Sequence, residues 1–153
     1  MNRTNVPRKE FGMRLAVISI KPQYVEAIVE GLKVYELRRR KPNLVRGDLL
    51  YIYETSPGKK ITALAELERI IDENIDILWE KVSESCAVNF ETFTDYFKGC
   101  KNGYALQLKN VKLYRNPLSL DDLREQMPKY MPPQFFHYLD EEHPLYTCIT
   151  ESY

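Results

Sequence analysis

The chain has 153 residues, 44% of them hydrophobic, and its 22 Lys and Arg balance 22 Asp and Glu. This length suits one domain with a packed core. The neutral balance excludes a protein that coats nucleic acid with its whole surface, because such a protein would be basic overall. No apolar run approaches the roughly 18 residues of a membrane span, so no membrane partner is expected.

The charge is distributed unevenly along the chain. Residues 21–60 carry nine Lys or Arg against five Asp or Glu, whereas residues 61–100 carry three against nine. Because a local field depends on where charges sit, an anion-binding surface is expected within the first of these stretches. The acidic stretch 61–100 is a candidate surface for a protein partner.

The cysteines and histidines do not follow a metal-binding pattern. Cys86, Cys100 and Cys148 are widely spaced without a C-x-x-C, and His137 and His143 do not neighbour a cysteine pair. The sequence therefore predicts no structural zinc, no other metal and no cofactor. The odd cysteine count and the lack of a signal-peptide pattern favour a reducing, cytoplasmic setting.

Strand patterns recur along the chain, with apolar side chains either continuous or at every second position. They occur at 15–20, 33–39, 49–55, 61–71 and 104–114, and a final edge strand is predicted at 145–149. The strands at 49–55 and 61–71 are joined by a turn and are expected to pair antiparallel. A bulge is expected at Asn110, which interrupts the alternation of its strand.

The first helix is predicted between two residues with backbone preferences of their own. Pro22 suits the first helical turn, and Gly31 fits the left-handed stop just past the last turn. A helical insert is predicted at about 73–99, with Asn89 as the N-cap of its second helix.

A helical extension is predicted at about 118–140. Its helix begins at Ser119, which forms a capping-box pattern with Asp122, and continues to about Gln126. A last helical turn is expected at Phe135–Leu139.

These elements define the predicted fold. Residues 13–153 are expected to form one domain, preceded by a flexible arm at 1–12. The fold class is α+β, with a mixed, mostly antiparallel sheet. Short strands of this number tend to curl, so the sheet is expected to form a small β-barrel with flanking helices.

The segment at 31–41 combines apolar alternation with an unusual density of positive charge. Glu36 and Arg38 fall on one face of its strand, and Lys33 precedes them. An arginine fork fits a phosphate or a base edge, a neighbouring carboxylate can orient it or accept from a base amino group, and a lysine supplies a compact charge. We therefore predict a nucleotide cleft at this segment.

Tyrosines near the segment offer flat faces on which an unpaired base can stack. The full predicted nucleic-acid-binding set is Lys21, Lys33, Tyr35, Glu36, Arg38, Arg39, Arg40, Tyr51 and Tyr53. The same residues also fit structural roles. The acidic and basic side chains can form an ion pair that closes the barrel, the tyrosines can belong to the core, and the cations can protect an edge strand from aggregation. If the protein is an enzyme, Lys33 and Glu36 are the predicted catalytic residues.

The pattern Gly31-x-Lys33-x-x-Glu36-x-Arg38 at a helix-to-strand junction, followed by Gly47-Asp48 opening the next strand, resembles the ASCH family. That family belongs to the PUA-like superfamily of small β-barrels. The resemblance covers roughly residues 13–115, and the end of the chain looks like an appended element.

The resemblance implies a cleft between the first helix and the barrel that binds RNA or a single, possibly modified, nucleotide. A second implication is hydrolysis of N4-acetylcytidine or of RNA, since Lys33 matches a lysine essential in amidohydrolases of the family. The chain departs from those enzymes at Glu36, where they have a threonine. It also departs near Cys86, where they have an acidic residue and this chain has Glu84 two positions away. The preferred base and the oligomeric state are left open.

Overall fold

A computed structural model of the chain describes residues 12–152, so the predicted arm at 1–12 lies, except for Gly12, outside the described residues. The strands are β1 (Leu15–Ile20), β2 (Tyr35–Arg38), β3 (Leu49–Glu54), β4 (Lys60–Asn74), β5 (Asn102–Ser119) and β6 (Phe136–Tyr138). The helices are α1 (Pro22–Val29), α2 (Ile75–Val82), α3 (Phe90–Tyr96), α4 (Leu120–Gln126) and α5 (Tyr146–Glu151).

The six strands form one sheet in the order β2-β5-β4-β3-β1-β6. β1 and β3 are parallel, and the other neighbouring pairs are antiparallel. The mixed, mostly antiparallel α+β fold is thus confirmed, with helices flanking the sheet. Within residues 12–152, however, β2 and β6 remain edges that do not pair with each other, so the sheet is open and does not close into the predicted barrel.

Helix α1 begins and ends where its sequence signals indicated. Pro22 occupies the first turn, and Gly31 has a φ of +80°, the left-handed conformation that glycine adopts without steric cost. The Gly31 N–H donates to the Ile28 carbonyl at 3.1 Å, and the Leu32 N–H donates to the Ala27 carbonyl at 2.9 Å. This reversal sends the chain directly from the helix into the segment that carries Lys33.

Three apolar clusters support the sheet. The first packs α1 against the sheet around Ile18, Ile28 and Leu50. The second packs α4 and α5 against the other side of β3, and it includes Leu123 and Ile149. The third lies under the helical insert formed by α2 and α3. Because the insert has its own apolar contacts to the sheet, it forms a fixed wall beside β2.

Several local predictions are confirmed. Asn89 caps α3 by accepting from the Thr92 N–H at 2.8 Å. Ser119 and Asp122 form the reciprocal bonds of a capping box. Asn110 has a φ of +51°, and the register between β4 and β5 shifts opposite it, as expected for a bulge.

Two predictions near the C-terminus are wrong. Residues 135–139 were expected to form a helical turn, but Phe136–Tyr138 form β6, which pairs with β1. Residues 145–149 were expected to form an edge strand, but α5 occupies Tyr146–Glu151. In each case the apolar pattern is too short to distinguish a helical period from a strand period. Pairing with β1 makes the first segment a strand, and burial of Leu145 and Ile149 one helical turn apart makes the second a helix.

None of the helices between residues 12 and 152 is long and apolar enough to cross a bilayer.

Candidate functional site

A cavity of about 680 Å³ opens between the edge strand β2 and the end of β1. Its volume falls within the usual range of small-ligand pockets. Its walls come from β1, α1, β2, the insert and the segment that precedes β6. The lining residues are Ser19, Ile20, Lys21, Tyr24, Lys33, Glu36, Leu37, Arg38, Thr55, Val88, Thr92, Phe93, Asp95, Tyr96, Pro133 and Gln134.

Lys33 reaches this pocket because of the turn that ends α1. Its backbone N–H donates to the Ala27 carbonyl at 3.0 Å, which holds the residue before β2 begins. Strand alternation alone would place Lys33 and Glu36 on opposite faces; since Lys33 lies ahead of the strand, both side chains line the same cavity. The Lys33 Nζ donates to the Cys86 carbonyl at 2.6 Å.

Glu36 lies between two cations. Its Oε1 is 3.8 Å from the Lys33 Nζ, and its Oε2 accepts from the Arg38 guanidinium at 2.6 Å. The side chains of Lys33, Glu36 and Arg38 are only 1%, 7% and 13% exposed. Because charges are costly to bury without partners, the carboxylate between them stabilises both cations in this position. The group carries a net positive charge beside the cavity.

Arg38 also connects the two sides of the gap in the sheet. Its guanidinium donates to the Ser19 carbonyl at the end of β1, at 2.8 Å, and its Cζ lies 4.5 Å from the centre of the Phe135 ring. Phe135 immediately precedes β6, so one side chain of edge strand β2 contacts both β1 and the segment leading to β6. These contacts set the width of the pocket on that side.

Burial changes the proton affinity of two groups in the pocket. Desolvation lowers the pKa of Lys33 below that of an ordinary lysine, although the nearby Glu36 carboxylate acts in the opposite direction. Desolvation and then Glu36 raise the pKa of the Tyr24 phenol. Tyr24 therefore stays neutral over a wide pH range, whereas Lys33 can lose its proton more readily than a lysine in water.

Two tyrosines that sequence reasoning did not identify, Tyr24 and Tyr96, line the pocket. The Lys33 Nζ lies 4.7 Å from the centre of the Tyr24 ring, a cation–π distance. The Tyr96 hydroxyl donates to the Leu37 carbonyl at 3.2 Å and attaches the insert to β2. The helical spacing of α1 and α3 was a signal for burial of their apolar faces, but it did not show that these two rings would line the same cavity.

The predicted stacking tyrosines occupy other positions. Tyr51 and Tyr53 are each 3% exposed within the second apolar cluster, so neither ring has a free face for a base. Tyr35 packs against the third cluster beneath the insert and does not line the pocket. The alternation of β3 identified Tyr51 and Tyr53 as sharing a face; only the packing of α4 and α5 shows that this face is covered.

The predicted cations divide into two groups. Lys21, Lys33 and Arg38 line the pocket, as predicted for a shared cleft. Arg39 and Arg40 are exposed outside it. The insert contributes Asp95 to the pocket lining, whereas Glu84 is exposed and not part of it. Among the residues that the structure describes, no group of three or more His, Cys, Asp or Glu is arranged to hold a metal ion.

Comparisons with known proteins agree with this architecture. The family model for the ASCH domain matches residues 18–130. An ASCH domain-containing ribonuclease from Zymomonas mobilis is 34% identical over 140 residues, which cover 91% of this chain and 90% of that protein. The crystal structure of ASCH from Zymomonas mobilis superposes with a TM-score of 0.83 at 31% identity, covering 91% of this chain and 96% of that one.

A more distant likeness extends to the N-terminal domain of Staphylothermus marinus McrB. It superposes with a TM-score of 0.57 at 13% identity, covering 95% of this chain and 98% of that one, so it shares the fold alone. The family match covers most of the chain, and the site residues Lys33, Glu36 and Arg38 lie within it. This chain belongs to the ASCH domain family.

Proposed function

We propose that the protein binds single-stranded RNA and holds one of its nucleotides in the pocket between β1, β2 and the insert. One observation carries the proposal: Lys33, Glu36 and Arg38 converge on an open cavity that also presents the Tyr24 and Tyr96 rings. Membership of a family in which a close relative is a ribonuclease makes RNA the expected ligand class.

The pocket offers a partner for each part of a nucleotide. Lys21, an exposed cation where β1 meets α1, is placed to contact phosphate. Glu36 and Asp95 supply carboxylate oxygens that can accept from the amino group of a base. A tyrosine face can stack on the base, which contributes about 1–3 kcal/mol. Because stacking needs an unpaired base, single-stranded RNA fits better than a duplex.

The test is a binding titration of a labelled single-stranded RNA against the wild type, Lys33→Met and Tyr24→Ala. Lys33→Met keeps the aliphatic chain but removes the charge, and Tyr24→Ala removes a stacking face. Each substitution should weaken binding about tenfold, equivalent to roughly 1.4 kcal/mol. Lys81→Met is the matched control, since Lys81 is an exposed cation of α2 that pairs with Glu73 of β4.

Two results would reject this function. One is the absence of binding by the wild type at low salt, where phosphate contacts are strongest. The other is equal affinity of the wild type and both pocket variants, which would place the RNA elsewhere on the surface.

Cleavage of the bound RNA is a second candidate function. Two observations favour it: the 34% identical relative is a ribonuclease, and desolvation lowers the pKa of Lys33. A neutral Lys33 amine could accept the proton of a ribose 2′-hydroxyl as its oxygen attacks the adjacent phosphorus. The 5′-oxygen of the next nucleotide would then leave with a proton from water, and the products would be a 2′,3′-cyclic phosphate and a 5′-hydroxyl.

Cleavage is tested with RNA labelled at its 5′ end and with a DNA strand of the same sequence as control. The rate should rise with pH at values below the ordinary lysine range, because more Lys33 is then neutral. Lys33→Arg keeps the positive charge but cannot act as the base, so it should retain binding and lose cleavage. Cleavage of the DNA strand, or an unchanged rate in Lys33→Arg, would contradict this mechanism.

A further inference from the structure

Two basic segments that are distant in sequence meet beside the pocket. Arg39, directly after β2, contacts the turn at 98–101 between α3 and β5. The Arg39 guanidinium donates to the Lys98 carbonyl at 3.2 Å and to the Cys100 sulfur at 3.2 Å. The turn therefore has a defined position relative to the end of β2. The exposed cations brought together in this way, here named the basic strip, are Arg39, Arg40, Lys41, Lys98 and Lys101.

The basic strip concentrates five exposed cations in two short segments, 39–41 and 98–101. Among residues 12–152, none of the five lies within ion-pair distance of a carboxylate. Elsewhere Lys81 pairs with Glu73, and Lys109 pairs with Glu66 and Glu68. Unpaired cations gathered on one surface raise the local potential and attract an anionic ligand, even in a chain with no net charge.

The basic strip begins at the pocket itself. Arg38 lines the cavity, and the next residue, Arg39, is the first member of the strip. On the opposite wall, Tyr96 lines the cavity two residues before Lys98. The hydrogen bond from the Tyr96 hydroxyl to the Leu37 carbonyl joins these two walls. A chain leaving the pocket at this side would pass directly onto the strip.

We propose that the basic strip binds the phosphates of the nucleotides that adjoin the one held in the pocket, so that the preferred ligand is a single-stranded polynucleotide and not a free nucleotide. The proposal rests on the RNA-binding function proposed above. Arg40, Lys41, Lys98 and Lys101 contact the phosphates. Arg39 is a positioning residue, because its side chain holds the turn at 98–101 against the end of β2.

The experiment compares two ligands, uridine monophosphate and an oligouridylate of about 12 nucleotides, over a range of salt concentrations. The variants are Lys98→Gln with Lys101→Gln, and Arg40→Gln with Lys41→Gln. The matched control, Lys112→Gln with Arg115→Gln, removes two exposed cations about ten residues further along β5. All three pairs remove two positive charges.

Each strip pair should weaken oligouridylate binding about tenfold at low salt and leave uridine monophosphate binding unchanged. The log–log slope of affinity against salt should become shallower by about 1.4, because two single-strand phosphate contacts are lost. The control pair should match the wild type on both ligands.

The outcomes separate this proposal from the function on which it rests. Oligouridylate affinity and salt slope that match the wild type in both strip pairs would overturn the strip but leave the pocket intact. An equal loss in the control pair would also overturn it, since any two charges would then suffice. If the strip pairs weaken oligouridylate binding while Lys33→Met and Tyr24→Ala keep wild-type affinity, the pocket alone would be overturned. No binding of either ligand by the wild type would overturn both.

Discussion

Two charge clusters on the same sheet differ in how far they are buried. In the pocket, the side chains of Lys33 and Glu36 are 1% and 7% exposed, and Arg38 is 13% exposed. In the second cluster, Lys109 lies between Glu66 and Glu68, and Arg46 pairs with Glu68 at 3.0 Å. There Lys109 is 36% exposed and Arg46 is 74% exposed. In the sequence the two clusters look alike, as opposite charges on strands or just before them.

The difference in burial gives the clusters different consequences. Water screens the outer cluster, so its ion pairs contribute little to stability. The pocket cluster carries the cost of removing three charges from water, which only close pairing offsets. A cluster of this kind contributes little to the stability of a fold, but it places a net positive charge next to a cavity that a ligand can enter. This contrast is why we propose a function for the pocket cluster and not for the outer one.

The largest effect should follow from Glu36→Gln. This substitution keeps the shape of the side chain but leaves Lys33 and Arg38 buried without a counter-charge, so the free energy of unfolding should fall by about 3 kcal/mol. Denaturant titration measures the loss. Glu68→Gln, the equivalent change in the outer cluster, is the control. If both variants lose the same amount, burial does not distinguish the two clusters.

A smaller effect should appear as a pH dependence. Because desolvation lowers the pKa of Lys33 in the folded state, the folded protein releases this proton at a lower pH than the unfolded chain does. The contribution of Lys33 to the free energy of unfolding should therefore rise as pH increases from the lowered pKa toward about 10.5. The same contribution should be lost as pH falls back to the lowered pKa. The difference in unfolding free energy between the wild type and Lys33→Met, measured across this range, reports it. A difference that stays constant with pH would show that Lys33 titrates normally.

A loss of about 1 kcal/mol is expected for Tyr96→Phe, which removes the hydrogen bond to the Leu37 carbonyl but keeps the ring. The loss should appear in hydrogen exchange as faster opening of the insert, with RNA affinity maintained by the remaining aromatic face. Tyr146→Phe is a control because Tyr146 packs at α5, away from the pocket. Unchanged exchange in the insert would show that this bond does not hold it to β2.

The smallest effect is expected in the outer cluster. Lys109→Gln removes a cation whose partners are all partly exposed, so stability should change by less than about 1 kcal/mol at physiological salt. RNA affinity should not change, because Lys109 lies outside both the pocket and the basic strip. A loss of several-fold in affinity would show that the RNA-binding surface extends along β5.

Four of the nine acidic residues at 61–100 lie in different parts of the molecule. Glu66 and Glu68 are engaged in the outer cluster, Glu73 pairs with Lys81, and Asp95 lines the pocket. These contacts divide the stretch among three parts of the molecule. The protein-partner surface predicted for this stretch stays a prediction.

The sequence by itself determined the local elements of this protein. Several features depend on preferences within a few residues: the ends of α1 at Pro22 and Gly31, the Asn89 cap, the Ser119 capping box and the bulge at Asn110. The pairing of Glu36 with Arg38 was also determined locally, because side chains two apart on a strand share a face. The short resemblance to the ASCH family rested on such local features and identified the fold class.

Only the tertiary structure decided which groups meet and which are covered. Tyr51 and Tyr53 are buried by α4 and α5, whereas Tyr24 and Tyr96 line the pocket. Residues 98–101 join the end of β2 through Arg39, although about 60 positions separate them in sequence. Strand and helix periods specify which face a side chain occupies, but not what packs on that face. What packs on a face depends on contacts between segments distant in sequence. Such contacts form the pocket at the open edge of the sheet.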